Sequence, residues 1–109
     1  MNKASPPAQP WMRATLREGF NHLNAGRINE ASACCQKVLS TKPDLVEGHF
    51  LVGLIALDIK QTNNAIRAFG SVTKLEPTHG AAWANLSNLF VRAGQAGRAD
   101  PALAKAVEH

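Results

Sequence analysis

Residues 49–77 read HFLVGLIALDIKQTNNAIRAFGSVTKLEP, and the pattern inside them decides the fold. His49, Val52, Gly53, Ala56 and Leu57 recur at the three- and four-residue spacing of one helix face. Asn63 and Asn64 interrupt the run. Ala65, Ala68, Phe69 and Val72 then lay out a second face, and Pro77 closes the unit because proline cannot continue a helix. The layout returns 34 residues away on both sides: Gly19, Gly53 and Ser87 are in register, as are Ala31, Ala65 and Ala99. Leu23, Leu57 and Val91 follow the same interval, as do Val38, Val72 and Ala106, and Pro43 and Pro77 mark one point in successive units. Helix pairs that repeat at this period stack into a solenoid, because one pair cannot bury its apolar face alone.

Length and composition bound what such an array can be. At 109 residues the chain is one small domain, 45% hydrophobic. No apolar run approaches the length that crosses a bilayer, so no membrane partner is expected. The net charge is +4 and the pI about 9.5. The basic residues are nonetheless scattered from Arg13 to Lys105 without a run. That distribution reads as solvated helix faces rather than a nucleic-acid stripe. The two cysteines, Cys34 and Cys35, are neighbours and so point about 100° apart on a helix, which disfavours a bridge between them. The chain starts without the apolar segment of a secretory signal. Both thiols are therefore expected reduced and the location cytoplasmic.

Taken in order, residues 1–10 carry three prolines and little apolar content, and a disordered lead-in is expected there. Residues 11–109 form the domain, with repeats at about 12–45, 46–79 and 80–109. The first helix opens at Pro10 and Trp11 and runs to about Asn24, closed by Ala25 and Gly26. The second covers about Ile28 to Ser40 and stops before Pro43. Asp44 is placed to cap the third, about Leu45 to Ile59, which is apolar over most of its circumference and should lie between two others. Thr62 or Asn63 caps the fourth, which ends near Leu75. Thr78 caps the fifth, about Gly80 to Arg92. The sixth covers about Ala96 to Val107, although Pro101 favours a start nearer Asp100. Cys35, Phe69 and Leu103 share one register and are expected in the core.

These residues resemble the tetratricopeptide repeat, whose pattern is Trp-x2-Leu-Gly-x2-Tyr, then Ala-x3-Phe, then Pro. The third repeat matches with Trp83, Leu86, Ser87, Phe90, Ala99 and Leu103. The second matches with His49, Val52, Gly53, Ala56, Ala65, Phe69 and Pro77. The first, with Thr15, Glu18, Gly19, His22, Ala31, Cys35 and Pro43, departs most. The resemblance spans about Trp11 to Val107. It implies an all-α fold: a right-handed α-solenoid of three helix-turn-helix units, six antiparallel helices in all. It also implies a protein-protein interaction module that binds a peptide or helix in a concave groove lined by the first helix of each unit.

By the family's geometry that groove presents Arg13, Leu16, Phe20, Leu23 and Asn24, then Glu47, Phe50, Leu54, Leu57 and Asp58, and last Ala81, Ala84, Asn88, Val91 and Arg92. Some members clamp the acidic tail of heat-shock chaperones with lysine and asparagine. Here Leu16 and Phe20 stand at the first two clamp positions, so that ligand is not expected. The apolar groove suits an amphipathic helix or extended peptide, or else it is covered by an adjoining segment or a second copy. Weak homodimerisation through the groove or a terminal repeat follows from the same exposed apolar residues.

Nothing in the sequence points to catalysis, a cofactor or a metal. His22, His49, His79 and His109 do not pair at four-residue spacing on one helix, and His22 and His49 lie on packing faces and are expected as satisfied core histidines. Gly94 and Gly97 stand at a helix-helix turn, not in a phosphate-cradling loop. A second resemblance is to the N-terminal repeat region of bacterial sulfotransferases. It is carried by Gly26-Arg27, Glu30-Ala31, Cys34, Val38-Leu39, Pro43 and the phrase Gly53-Leu54-Ile55-Ala56-Leu57. It implies a scaffold whose catalytic part is absent from these residues. The missing polar capping helix after the third repeat reads the same way, as a segment of a longer protein.

Overall fold

A computed structural model describes residues 6–109. The expected disorder over Met1 to Ser5 lies outside the described residues. Six helices follow in order: α1 (Pro10–Asn24), α2 (Ile28–Thr41), α3 (Val46–Asp58), α4 (Thr62–Leu75), α5 (Gly80–Arg92) and α6 (Ala96–Glu108). No strand occurs among the described residues. The helices pair as hairpins, α1 on α2, α3 on α4 and α5 on α6, and α3 and α5 also pack against the hairpin before them. The result is a flat all-α slab of 42 × 39 × 19 Å.

Close packing inside each hairpin comes from the small residues in register. A Cβ on Gly53 would stand 2.7 Å from the Phe69 ring, and one on Gly19 would stand 3.1 Å from the Cys34 Cβ. In the third hairpin Ser87 takes this place, and its Oγ donates to the Ala99 carbonyl at 3.1 Å. Ala31 and Ala65 are fully buried and Ala99 nearly so. Large side chains fill the space these leave, led by Phe69, Leu51 and Leu89. The core forms two clusters. One gathers Met12, Leu16, Cys35, Val38, Leu51 and Ile55, the other Phe69, Val72, Leu86, Leu89 and Phe90. Helix α3 serves both, since Leu51 and Ile55 face one cluster and Ala56 the other, as its apolar circumference requires.

Each first helix ends in one turn geometry. Gly26, Lys60 and Gly94 all adopt left-handed backbone, with φ of 78°, 61° and 73°. The residue after each donates back to the last helical turn: Arg27 N to His22 O at 2.8 Å, Gln61 N to Ala56 O at 2.8 Å and Gln95 N to Phe90 O at 2.7 Å. Carbonyls that a helix end leaves bare are thereby satisfied. Lysine does this in the middle unit without glycine's freedom.

The capping expectations need correction. Asp44 accepts from Lys42 Nζ at 3.0 Å, and α3 starts after Leu45 with no side-chain cap. Gln61, not Thr62 or Asn63, precedes α4, and its Oε1 accepts from Asn64 Nδ2 at 2.6 Å. His79 caps α5 in place of Thr78, its Nδ1 accepting from Ala82 N at 3.1 Å. Helix α6 starts at Ala96 despite Pro101, which replaces a donor that would have reached the Gly97 carbonyl. Leu103 is also corrected: it is 50% exposed, and Ala102 fills the core instead. Its counterparts Cys35 and Phe69 are roofed by the following hairpin, whereas among the described residues α6 packs chiefly on α5.

Candidate peptide-binding groove

One face of the slab is built from α1, α3 and α5, the first helices of the hairpins. Arg13, Asn24, Glu47, Asp58, Asn88 and Arg92 are exposed on these helices. Phe20, Leu23, Phe50, Leu54 and Leu57 are half-buried. Leu16 is only 5% exposed and belongs to the core, so it offers a wall rather than an open surface.

Some of these residues come together in clefts. Arg13, Leu16, Phe20 and Glu47 line a cleft of about 590 Å³ between α1 and α3. Arg17, Asn21, Leu45 and Ala8 complete its lining. Leu57 and Arg92 meet in a second cleft, of about 440 Å³, with Ala56, Lys60 and Thr62. Leu23, Asn24, Leu54, Asp58 and Asn88 line neither. Phe50 is engaged from both sides: its ring meets Phe69 edge-on at 5.3 Å and lies tilted over His79 at 5.0 Å. Its exposed remainder is smaller than the sequence suggests.

Ala8 and Lys60 had no sequence signal. Ala8 sits in the proline-rich lead-in yet packs against the first core cluster. The described part of the lead-in is therefore partly docked rather than free. Lys60 reaches the groove through its left-handed turn, which no lysine pattern announces. The other bracing contacts are local. Arg27 Nε donates to His22 Nδ1 at 2.8 Å, and His49 Nε2 lies 2.7 Å from the Pro43 carbonyl. Both rings are half-buried and engaged at helix junctions, not enclosed in the core.

The two thiols are both held protonated. Burial pushes the Cys35 thiol up to about 12, with Cys34 beside it adding to the shift. Burial and Glu18 also raise Cys34, against an opposing pull from Lys37. Both stay protonated near neutral pH, when a reactive cysteine would need the reverse. Among the described residues no group of three His, Cys, Asp or Glu side chains is arranged to hold a metal ion. Among them, too, no helix is long and apolar enough to cross a membrane.

No protein-family model matches the chain, and the search of curated proteins finds no match either. Solved structures match well. The crystal structure of MamA superposes with a TM-score of 0.81 at 20% identity, over 89% of this chain and 57% of that one. The Yersinia enterocolitica type III secretion translocator chaperone SycD gives 0.84 at 14% identity, over 93% and 76%. The second TPR of Spaghetti (RPAP3), bound to an HSP90 peptide, gives 0.82 at 12% identity, over 88% and 89%. The chain thus spans little more than half of the MamA structure. It has the tetratricopeptide-repeat fold, an α-solenoid of helix-turn-helix units.

Proposed function

We propose that this chain is a protein-interaction module that holds a peptide or short helix along α1, α3 and α5. The observation that carries the reading is the cleft between α1 and α3. Its floor is apolar at Leu16, Phe20 and Leu45, and its rim offers Arg13, Arg17 and Glu47. Buried apolar contact supplies affinity there, and charges of both signs on the rim fix register. The likeness to a peptide-bound repeat domain and to a chaperone supports the same use of the fold. On this reading Arg13, Asn24, Glu47, Asp58, Asn88 and Arg92 orient the ligand, and Leu16, Phe20, Leu23, Phe50, Leu54 and Leu57 supply the apolar surface. Phe20 and Leu57 have most to gain from being covered, being half-buried and lining the two clefts.

The chain itself performs no chemistry on this proposal, and it works in the cytoplasm with reduced thiols. Weak self-association through exposed Leu103 and Val107 is part of the same reading. The sulfotransferase scaffold rests on the quoted sequence phrases alone, and the solved structures add nothing to it.

The test is selection of peptides from a displayed library, followed by binding to Arg13→Glu and Asn88→Arg. Both positions are exposed, so the fold is preserved. Selected peptides should lose at least tenfold in affinity on one or both variants. Peptides that bind wild type and both variants equally would refute the groove.

A further inference from the structure

A furrow opens between α4 and α6, the second helices of the last two hairpins. The two helices do not pack on each other; each packs on α5, which floors the gap. The furrow holds about 480 Å³. Phe90 and Leu86 form its nearly closed floor, and Ile66, Trp83 and Pro101 leave apolar surface open to solvent. Trp83 Nε1 donates to the Pro77 carbonyl at 2.8 Å, so its polar end is already satisfied.

Three features of the walls identify the occupant. First, Gly70 in α4 and Gly97 in α6 both line the furrow, and a Cβ built on either meets nothing within 4 Å. Both walls therefore admit close approach of another backbone. Second, the charged residues lining the furrow are Lys74, Arg98 and Lys105, and no acidic residue joins them. These cations are scattered in the sequence and are gathered only by the hairpin stacking. The Arg98 guanidinium is held 4.3 Å from the Phe90 ring centroid, and its Nη1 donates to Gln95 Oε1 at 2.8 Å. A cation fixed in this way keeps further N–H donors for a carboxylate. Glu108 approaches Lys105 only at 4.0 Å, as a loose exposed pair. Third, Arg98 and Lys105 are seven residues apart on one helix, or about 10.5 Å along its axis at 1.5 Å per residue.

We propose that this furrow is a second docking surface, and that it takes an acidic amphipathic helix. The ligand's apolar stripe covers Ile66, Trp83 and Pro101, and two carboxylates seven residues apart meet Arg98 and Lys105, with a further one at Lys74. A second copy of this chain is the poorer occupant, because its net charge is +4. The furrow shares no lining residue with the two clefts of the groove proposed above, so the two surfaces are tested independently.

The test uses a displayed library of designed helices with a fixed leucine stripe, in which each flanking position is free to be Glu, Gln or Lys. Selection on the intact chain should enrich Glu at positions seven apart. The enriched peptide should lose at least tenfold in affinity when its glutamates become glutamine, and also on raising the salt. Gly70→Leu, which fills the furrow from an open position, should abolish binding, and Lys74→Glu combined with Lys105→Glu should weaken it at least tenfold. Melting curves at or above wild type establish that the variants fold. Enrichment of Lys, absence of any binder, or undiminished binding to folded Gly70→Leu would each overturn the proposal. So would loss on Asn88→Arg with Gly70→Leu unaffected, which moves the ligand to the groove along α1, α3 and α5.

Discussion

Two glycines in the same hairpin should respond oppositely to one added methyl group. Gly53 and Gly70 both lie inside helices, where glycine costs about 0.5–1 kcal/mol relative to alanine. At Gly70 nothing stands within 4 Å of the new Cβ. Gly70→Ala should therefore realise that gain in full and raise the melting temperature by several degrees. At Gly53 the new Cβ meets three atoms of the Phe69 ring at 2.7–2.8 Å. Phe69 is fully buried and meets Phe50 edge-on, so shifting its ring displaces packed neighbours. Overpacking of this kind costs about 1–3 kcal/mol. Set against the propensity gain, Gly53→Ala should lose up to roughly 2.5 kcal/mol. Urea unfolding followed by far-ultraviolet circular dichroism gives both values on one scale. The loss at Gly53 should shrink in a Phe69→Leu background, because the two sites share the contact. A Gly53→Ala midpoint raised as much as that of Gly70→Ala, with Phe69 intact, would refute the packing argument.

Lys60→Gly should stabilise the chain by about 0.5–1 kcal/mol, because it relieves left-handed backbone at a residue with a Cβ; a lower urea midpoint would contradict this. The Cys35 thiol, raised from an ordinary 9.0 to about 12, sets an alkaline limit. Its contribution is fully present below pH 9 and lost as pH rises toward 12, because the unfolded chain releases the proton first. The chain contains no tyrosine to add its own titration in that window. Cys35→Ala should flatten the stability profile between those pH values, and an unchanged slope would show another group responsible. Weak self-association should depend on Leu103 and Val107, which are 50% and 81% exposed. Sedimentation equilibrium on the double variant Leu103→Glu, Val107→Glu should then report only monomer, and equal association by both chains would place the contact elsewhere.

The fold was legible in the sequence because its determinants are periodic. Gly19, Gly53 and Ser87 mark where hairpins close, and the structure uses all three in that way. The caps were less legible. Asp44 and Thr78 are favourable cap types, but which residue caps is set by where the turn directs each side chain, and His79 wins at α5. Leu103 misled for a related reason: register says which way a side chain faces, not whether a further layer stands there. In the groove, the choice of helices followed from the repeat, whereas Leu16's burial depended on packing against the next hairpin. The furrow between α4 and α6 left no trace in the sequence, since its cations and its two open glycines come from separate helices.

The adjacent cysteines also give the first hairpin a built-in clock. At pH 7 a thiol raised to about 12 stays protonated. Cys35 is also 2% exposed beneath α3. Cys35 borders a cleft of about 470 Å³ between α2 and α3, and parting of the first hairpin from its neighbours exposes it further, so faster modification reports that opening. Cys34, half-buried on the same helix, supplies the faster reference within each molecule. Two mass increments arriving in sequence would time how often the array breathes at its N-terminal end, with no probe added to the chain.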